Sequence, residues 1–162
     1  MNWLEQLAAE WYEYRGFFVR RNDRIGRRST GGYASELDIL ALDPRSGELH
    51  HIEASGSAAS WAELQEQTVR KFNQAFDRYE ELVGPNFRTV RRIAILGFSR
   101  TTSVDLNWGN DIEVKLAPAF LQEIIAHLAS QSPATNAVSE KFPLLRTIQA
   151  VVHAQGSNRE DR

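Results

Sequence analysis

The stretch ELDILALD, residues 36–43, is followed after a Pro-Arg-Ser-Gly turn by a second stretch, HHIEASGS, residues 50–57, and both carry acidic residues inside an apolar run. Side chains two positions apart on a strand project from the same face. We therefore expect a hairpin in which Asp38 and Glu53 converge. On the same faces we expect Glu36, His51 and Ser55.

Charge at the edge of an apolar core needs a compensating partner. Carboxylates held close together repel each other unless they share a proton or a cation. Magnesium is a hard divalent cation that is bound by oxygen ligands of this kind. The hairpin therefore predicts a metal-dependent site.

The bulk composition limits the protein that carries this site. The chain has 162 residues, of which 42% are hydrophobic and 25% charged, and these values predict one globular domain with an adequate core. No apolar run approaches the roughly 18 residues of a membrane span, and the first residues, MNWLEQLAAEWYEYR, are acidic and amphipathic. We expect a soluble, cytoplasmic protein without a membrane partner. The absence of cysteine excludes a disulfide framework and a thiolate zinc site.

Arginine is concentrated near the amino terminus. The chain has 16 arginines and only three lysines, and residues 15–28 hold six arginines and one acid, although the net charge is -2. Guanidinium groups match phosphate oxygens in a bidentate way. The segment therefore predicts contact with a nucleic-acid backbone, and a solvated basic loop is the alternative.

Hydrophobic periodicity predicts the elements around the hairpin. Apolar residues repeat every three to four positions from Trp3 to Tyr14, which indicates an amphipathic helix ended by Gly16. A strand begins at Phe17, and residues 20–32 are predicted as a polar loop. Beyond the hairpin we predict a helix over residues 61–82, strands over 93–98 and 112–116, helices over 118–127 and 142–153, a linker over 130–139, and a flexible tail over 157–162.

The order of these elements, with the acids they carry, resembles the PD-(D/E)XK nuclease superfamily. A leading helix carries Glu5, Gly16 and Phe17 begin a strand, Asp38 lies within an apolar strand, and Glu53 takes the acidic place of a Glu-x-Lys strand. Over residues 1–100 the spacing is similar to Holliday junction resolvases and restriction-endonuclease-like domains. The resemblance implies one α/β domain over residues 1–156, with a three-layer core and a mixed central sheet of about five strands flanked by helices.

The resemblance also implies the metal ligands. Asp38 and Glu53 would hold one or two Mg²⁺ or Mn²⁺ ions, and Glu5 would be an accessory acid. Glu36, two residues before Asp38, would assist, and an exposed strand glutamate is the alternative. No nucleotide cofactor is implied.

Ser55 stands where the superfamily usually has lysine. A hydroxyl forms hydrogen bonds but cannot supply positive charge at the transition state. In some members the lysine comes from the neighbouring helix, and Lys71 is the candidate here. Gln67 lies on a nearby row of that helix and could contact the phosphate. A surface lysine with polar neighbours is the alternative.

The function implied is hydrolysis of a DNA phosphodiester bond by a metal-activated water, and a symmetric homodimer is compatible with the resemblance. Asp38, Glu53, Ser55 and Lys71 would be the catalytic residues. The alternative is a catalytically degenerate module that binds nucleic acid or a protein. The residues expected to hold the DNA backbone are Arg20, Arg21, Arg24, Arg27, Arg28 and Gln67.

Two other patterns compete with this interpretation. Glu113 and Lys115 form a literal Glu-x-Lys, but no acid-bearing helix and Gly-Phe strand lead into it, so we expect Lys115 at an edge or surface. His50 and His51 point to opposite faces of a strand, so only His51 could join Glu53. One histidine with carboxylates favours magnesium over zinc.

Overall fold

The computed structural model describes residues 2–56, 60–97, 106–109 and 111–160. Within these ranges the chain forms five strands and five helices. In chain order they are α1 (Trp3–Tyr14), β1 (Phe18–Arg27), β2 (Tyr33–Leu42), β3 (Glu48–Ser55), α2 (Trp61–Ala75), α3 (Tyr79–Val83), β4 (Thr89–Leu96), β5 (Ile112–Leu116), α4 (Ala117–Ala129) and α5 (Pro143–Glu160).

The strands form one mixed sheet in the order β1-β2-β3-β4-β5. The first three strands are antiparallel neighbours, and β3, β4 and β5 run parallel. The α2–α3 segment makes the crossover that a parallel β3–β4 pair requires. The predicted α/β class with a five-stranded mixed sheet flanked by helices is confirmed.

Helices cover both faces of the sheet. One face packs against α1, α4 and α5, and Ile52 and Ala54 of β3 belong to this cluster. The opposite face packs against α2 and α3, where Leu49 of β3 contributes to one cluster and Phe72 of α2 to another. Because β3 is buried on both faces, its polar side chains lie inside the protein.

A tight turn joins β2 to β3. The Gly47 N–H donates to the Asp43 carbonyl at 2.9 Å, and the Asp43 N–H donates to the Glu48 carbonyl at 2.9 Å. Gly47 has a φ of 73°, a conformation that a residue with a Cβ adopts only with strain. The turn fixes which residues of the two strands face each other.

The arginine-rich segment differs from its prediction. The predicted loop over residues 20–32 is wrong for residues 20–27, because β1 continues to Arg27 and pairs with β2 along its length, and only residues 28–32 form the connection. Asn22 and Gly26 have positive φ values of 56° and 66°. The strand lacks apolar alternation, and its pairing comes from β2.

Two helices also differ in extent. The predicted helix over residues 61–82 is interrupted after Ala75 and resumes at Tyr79, and both pieces keep the same buried side. Phe76 falls in the interruption and is exposed. The last helix continues to Glu160, since Gly156 does not take the positive φ that ends helices at glycine. No helix in the described ranges has both the length and the apolar character needed to cross a membrane.

The cap of α1 ties this helix to β3. The Asn2 side chain accepts from the N–H groups of Leu4 and Glu5 and donates to the Ala54 carbonyl at 3.1 Å. We expect Asn2→Ala to lower the free energy of unfolding by about 2 kcal/mol, because the cap and the long-range hydrogen bond are each worth about 1 kcal/mol. Urea denaturation measures the change.

Ser60→Ala is the matched control, because Ser60 forms the same capping box at α2. Its loss should be about 1 kcal/mol. Equal losses in the two variants would contradict a tie between α1 and β3.

Candidate active site

The site lies where β2 and β3 separate. The two strands pair from Leu42 and Leu49 as far as Ile39 and Ile52, and their pairing ends there. Strand β3 continues beside β4 to Ser55. The next residues along the two strands, Asp38 and Glu53, therefore stand at the opening of a fork in the sheet.

Carboxylate oxygens replace the main-chain ladder at this fork. The Asp38 N–H donates to Glu53 Oε1 at 3.3 Å, and the Ala54 N–H donates to Asp38 Oδ2 at 2.9 Å. The exposed fractions of the Asp38 and Glu53 side chains are only 14% and 3%. The two acids are thus fixed in place by the strands they separate.

Lys71 of α2 joins the two acids. Its Nζ lies 2.8 Å from Asp38 Oδ1 and also contacts Glu53 Oε2. One carboxylate oxygen from each strand therefore points at a single cationic atom. The structure brings the side chains of Asp38, Glu53 and Lys71 into contact, as the sequence predicted.

Burial and mutual repulsion make both acids weaker than usual. Burial raises the pKa of Asp38 to about 6, and the neighbouring Glu53 charge adds to the increase. Burial also raises the pKa of Glu53, against the lowering effect of Lys71. Burial alone would lower the pKa of Lys71, but the two carboxylates outweigh it and the net shift is upward. The cluster therefore attracts cations and keeps Lys71 charged.

Glu5 of α1 approaches the same opening. Burial raises its pKa, and the charge of Asp38 adds to the increase. Its carboxylate accepts from the Asn2 amide at 2.6 Å and from the Asn2 N–H at 3.2 Å. Glu5 thus caps its own helix and adds negative charge near Asp38.

His51 was expected on the same face as Glu53 but was given no role in the site, and Tyr79 was not predicted there. His51 is fully buried, with Nε2 lying 2.8 Å from Glu53 Oε1 and Nδ1 lying 2.9 Å from the Tyr79 hydroxyl. Burial lowers the pKa of His51 to about 3, so its ring is neutral at pH 7. The alternation of β3 placed His51 beside Glu53, but no pattern in the sequence indicated Tyr79.

The other predicted site residues are placed differently. Glu36 is outside the cluster, because its carboxylate accepts from Arg24 Nε at 3.2 Å on β1. Ser55 ends β3 and is partly buried on the Glu53 face. Gln67 is exposed on α2, one turn before Lys71.

The predicted arginine patch is divided between two faces of the hairpin. Arg20 contacts the Leu82 carbonyl of α3 and lies 2.6 Å from Asp23, whereas Arg21 pairs with Glu13 of α1. The remaining members, Arg24, Arg27 and Arg28, are exposed, and Arg24 pairs with Glu36. Arg20 and Arg21 therefore face opposite sides of the sheet, and Glu13 of α1 and Glu36 of β2 pair with Arg21 and Arg24.

The competing Glu-x-Lys motif lies on the edge strand β5. Lys115 is 3.4 Å from Glu113 and 3.1 Å from Glu123, and all three side chains are between 30% and 40% exposed. The expected edge position of Lys115 is confirmed.

No protein-family model matches the chain, and no curated protein matches it. Among solved structures, the chain is similar to the crystal structure of AF1548, a protein of unknown function. The two share 12% sequence identity with a TM-score of 0.47, over 93% of this chain and 97% of that one. At this level the similarity indicates neither a family nor an activity.

The raised pKa of Asp38 should make the folding stability of the protein fall as pH rises. Its pKa is about 6 in the folded protein and 3.8 in an ordinary aspartate, so the folded state binds more protons between these values. The stability contributed by protonated Asp38 is complete below the lower value and is lost as pH rises through the higher one.

We therefore expect wild type to lose stability relative to Asp38→Asn between about pH 4 and pH 6. Urea unfolding in EDTA at each pH measures the difference. A difference that stays constant over this range would contradict a raised pKa.

Removing the ammonium should make stability depend on a divalent cation. Lys71→Met leaves two buried carboxylates without a counter-ion, and we expect a loss of about 3 kcal/mol in EDTA. Added Mg²⁺ or Mn²⁺ should restore part of the loss, because it can occupy the space between the same oxygens. Thermal and urea unfolding with and without the metal provide the measurement.

Lys115→Met is the matched control. Lys115 is as exposed as Lys71 and also contacts two carboxylates, but those carboxylates are accessible to water. Its loss should be below about 1 kcal/mol and independent of the metal. A Lys71→Met protein that is indifferent to metal would refute a cation site at the fork.

Proposed function

We propose that this protein is a metal-dependent endonuclease that hydrolyses phosphodiester bonds in DNA. The observation that carries the proposal is the contact of Lys71 Nζ with Asp38 Oδ1 and Glu53 Oε2. Two buried acids and a lysine at the fork between β2 and β3 provide the cation ligands and the positive charge that this chemistry uses.

The acids fit a magnesium ion that retains much of its water. Asp38 Oδ1 and Glu53 Oε2 already converge on one cation, the Lys71 ammonium. No group of three or more His, Asp or Glu in the described part of the chain is arranged to hold a metal. Magnesium is commonly held by one or two carboxylates together with water and substrate phosphate, so two protein ligands suffice.

When bound, Mg²⁺ or Mn²⁺ would lower the pKa of a coordinated water and polarise a phosphoryl oxygen. Lys71 would then turn from the carboxylates to the phosphate, where its charge opposes the negative charge that develops in the transition state. This supplies the charge that Ser55 lacks. Ser55 would hold the attacking water by a hydrogen bond.

The DNA backbone would be held at the hairpin and along α2. Arg27 and Arg28 are exposed at the end of β1, and Arg24 lies beside them in a solvent-screened pair with Glu36. Gln67 is exposed one turn from Lys71. These contacts would add affinity without sequence preference, because phosphate oxygens carry no sequence information.

A catalytically degenerate binding module is the second candidate. The observation in its favour is that Lys71 already occupies the two oxygens that would face a metal. A fold that had lost its catalytic role could keep the three residues as a buried ion cluster.

Cleavage assays on plasmid and branched DNA separate the two candidates. With Mg²⁺ or Mn²⁺ we expect wild type to cleave, and we expect Asp38→Asn and Glu53→Gln to lose at least about 100-fold in rate. Glu36→Gln is the matched control and should cleave like wild type, because Glu36 pairs with Arg24 outside the cluster.

A filter-binding assay on the same proteins completes the test. DNA binding by all four proteins with no cleavage by wild type would favour the binding module. Cleavage that persists in Asp38→Asn and Glu53→Gln would remove these residues from the mechanism.

A further inference from the structure

A buried chain of hydrogen bonds runs from Tyr79 through His51 to Glu53, on the side of the carboxylate opposite Lys71. We propose that His51 and Tyr79 are positioning residues that direct Glu53 Oε2 toward the bound cation. This inference rests on the proposed function and extends it to side chains that would touch neither metal nor DNA.

The ionised carboxylate of Glu53 and the neutral ring of His51 fix the direction of the hydrogen bonds in this chain. Arg92 hydrogen-bonds the Tyr79 side chain and can only donate, whereas an ionised Glu53 can only accept. His51 Nε2–H therefore donates to Glu53, and because the neutral ring carries only this one proton, Nδ1 accepts from the Tyr79 hydroxyl. Each bond polarises the next in the same direction.

This direction assigns a different task to each Glu53 oxygen. Oε1 accepts from His51 and from the Asp38 N–H, so it is saturated by the protein. Oε2 faces Lys71 and is the oxygen available to a metal. Fixing Oε1 prevents rotation of the carboxylate, and partners of this kind commonly change metal affinity 10- to 100-fold when removed.

The opposite face of β3 carries a matched arrangement. The Tyr12 hydroxyl lies 3.2 Å from His50 Nδ1, and His50 Nε2 lies 3.0 Å from Glu48. The tyrosine, histidine and glutamate repeat the contacts of Tyr79, His51 and Glu53. They lie on the side of the sheet away from Lys71, so they provide a control with the same chemistry.

The test compares Tyr79→Phe with Tyr12→Phe. Each variant keeps the aromatic ring and loses one tyrosine–histidine hydrogen bond. Titration calorimetry with Mn²⁺ measures metal affinity, the metal dependence of DNA cleavage gives the concentration for half-maximal rate, and thermal unfolding records stability. Arg92→Met repeats the comparison from the outer end of the chain, should Tyr79→Phe fail to fold.

We expect Tyr79→Phe to weaken Mn²⁺ binding by about 10-fold and to raise the half-saturating metal concentration equally. The rate at saturating metal should recover, and Tyr12→Phe should bind Mn²⁺ like wild type. Equal affinities in both variants and wild type, with lowered stability alone, would overturn the positioning role and leave the proposed function intact. Wild type that neither binds Mn²⁺ nor cleaves would overturn the proposed function and this inference together.

Discussion

The charge balance at the fork is the constraint on which the site depends. Two carboxylates removed from water repel each other and lose hydration, and both costs are large unless a cation lies between them. Lys71 is that cation in this structure, and its contact brings α2 against the open ends of β2 and β3. The same geometry that requires a counter-ion for folding creates the cation-binding character used in the proposed reaction. Stability and proposed activity therefore draw on one set of atoms.

The features of the fold and of the candidate site that follow from local periodicity could be predicted from the sequence. Strand alternation placed Asp38 and Glu53 on facing positions, and helical spacing placed Lys71 on the border of the buried face of α2. The apolar runs indicated β2 to β5, whereas β1 was indicated only at its start. In each case the information lies within a few residues of the side chain concerned, because a strand or helix fixes the direction of its neighbours.

The features that depend on contacts between residues far apart in the sequence could not be predicted. Tyr79 meets His51 across 28 positions, and Glu13 of α1 neutralises Arg21. The edge strand β1 has no apolar alternation, so only its pairing with β2 defines it. The number of arginines in a segment gives its charge along the chain. Whether those arginines form a binding surface depends on which acidic side chains the fold places next to them. The sequence therefore indicated the number of positive groups but not their division between two faces.

The turn over residues 43–47 helps to set the register of β3, because β3 carries polar side chains on both faces. An ordinary amphipathic strand resists a one-residue slip because the slip would expose its apolar side, but β3 is buried on both faces and carries a histidine on each. Its hydrophobic pattern therefore discriminates weakly between the two orientations. The length of the turn and the eight-residue ladder with β4 make the choice instead. The connection thus helps to decide which side of the sheet receives the Glu53 carboxylate, although it lies at the far end of the two strands from Lys71.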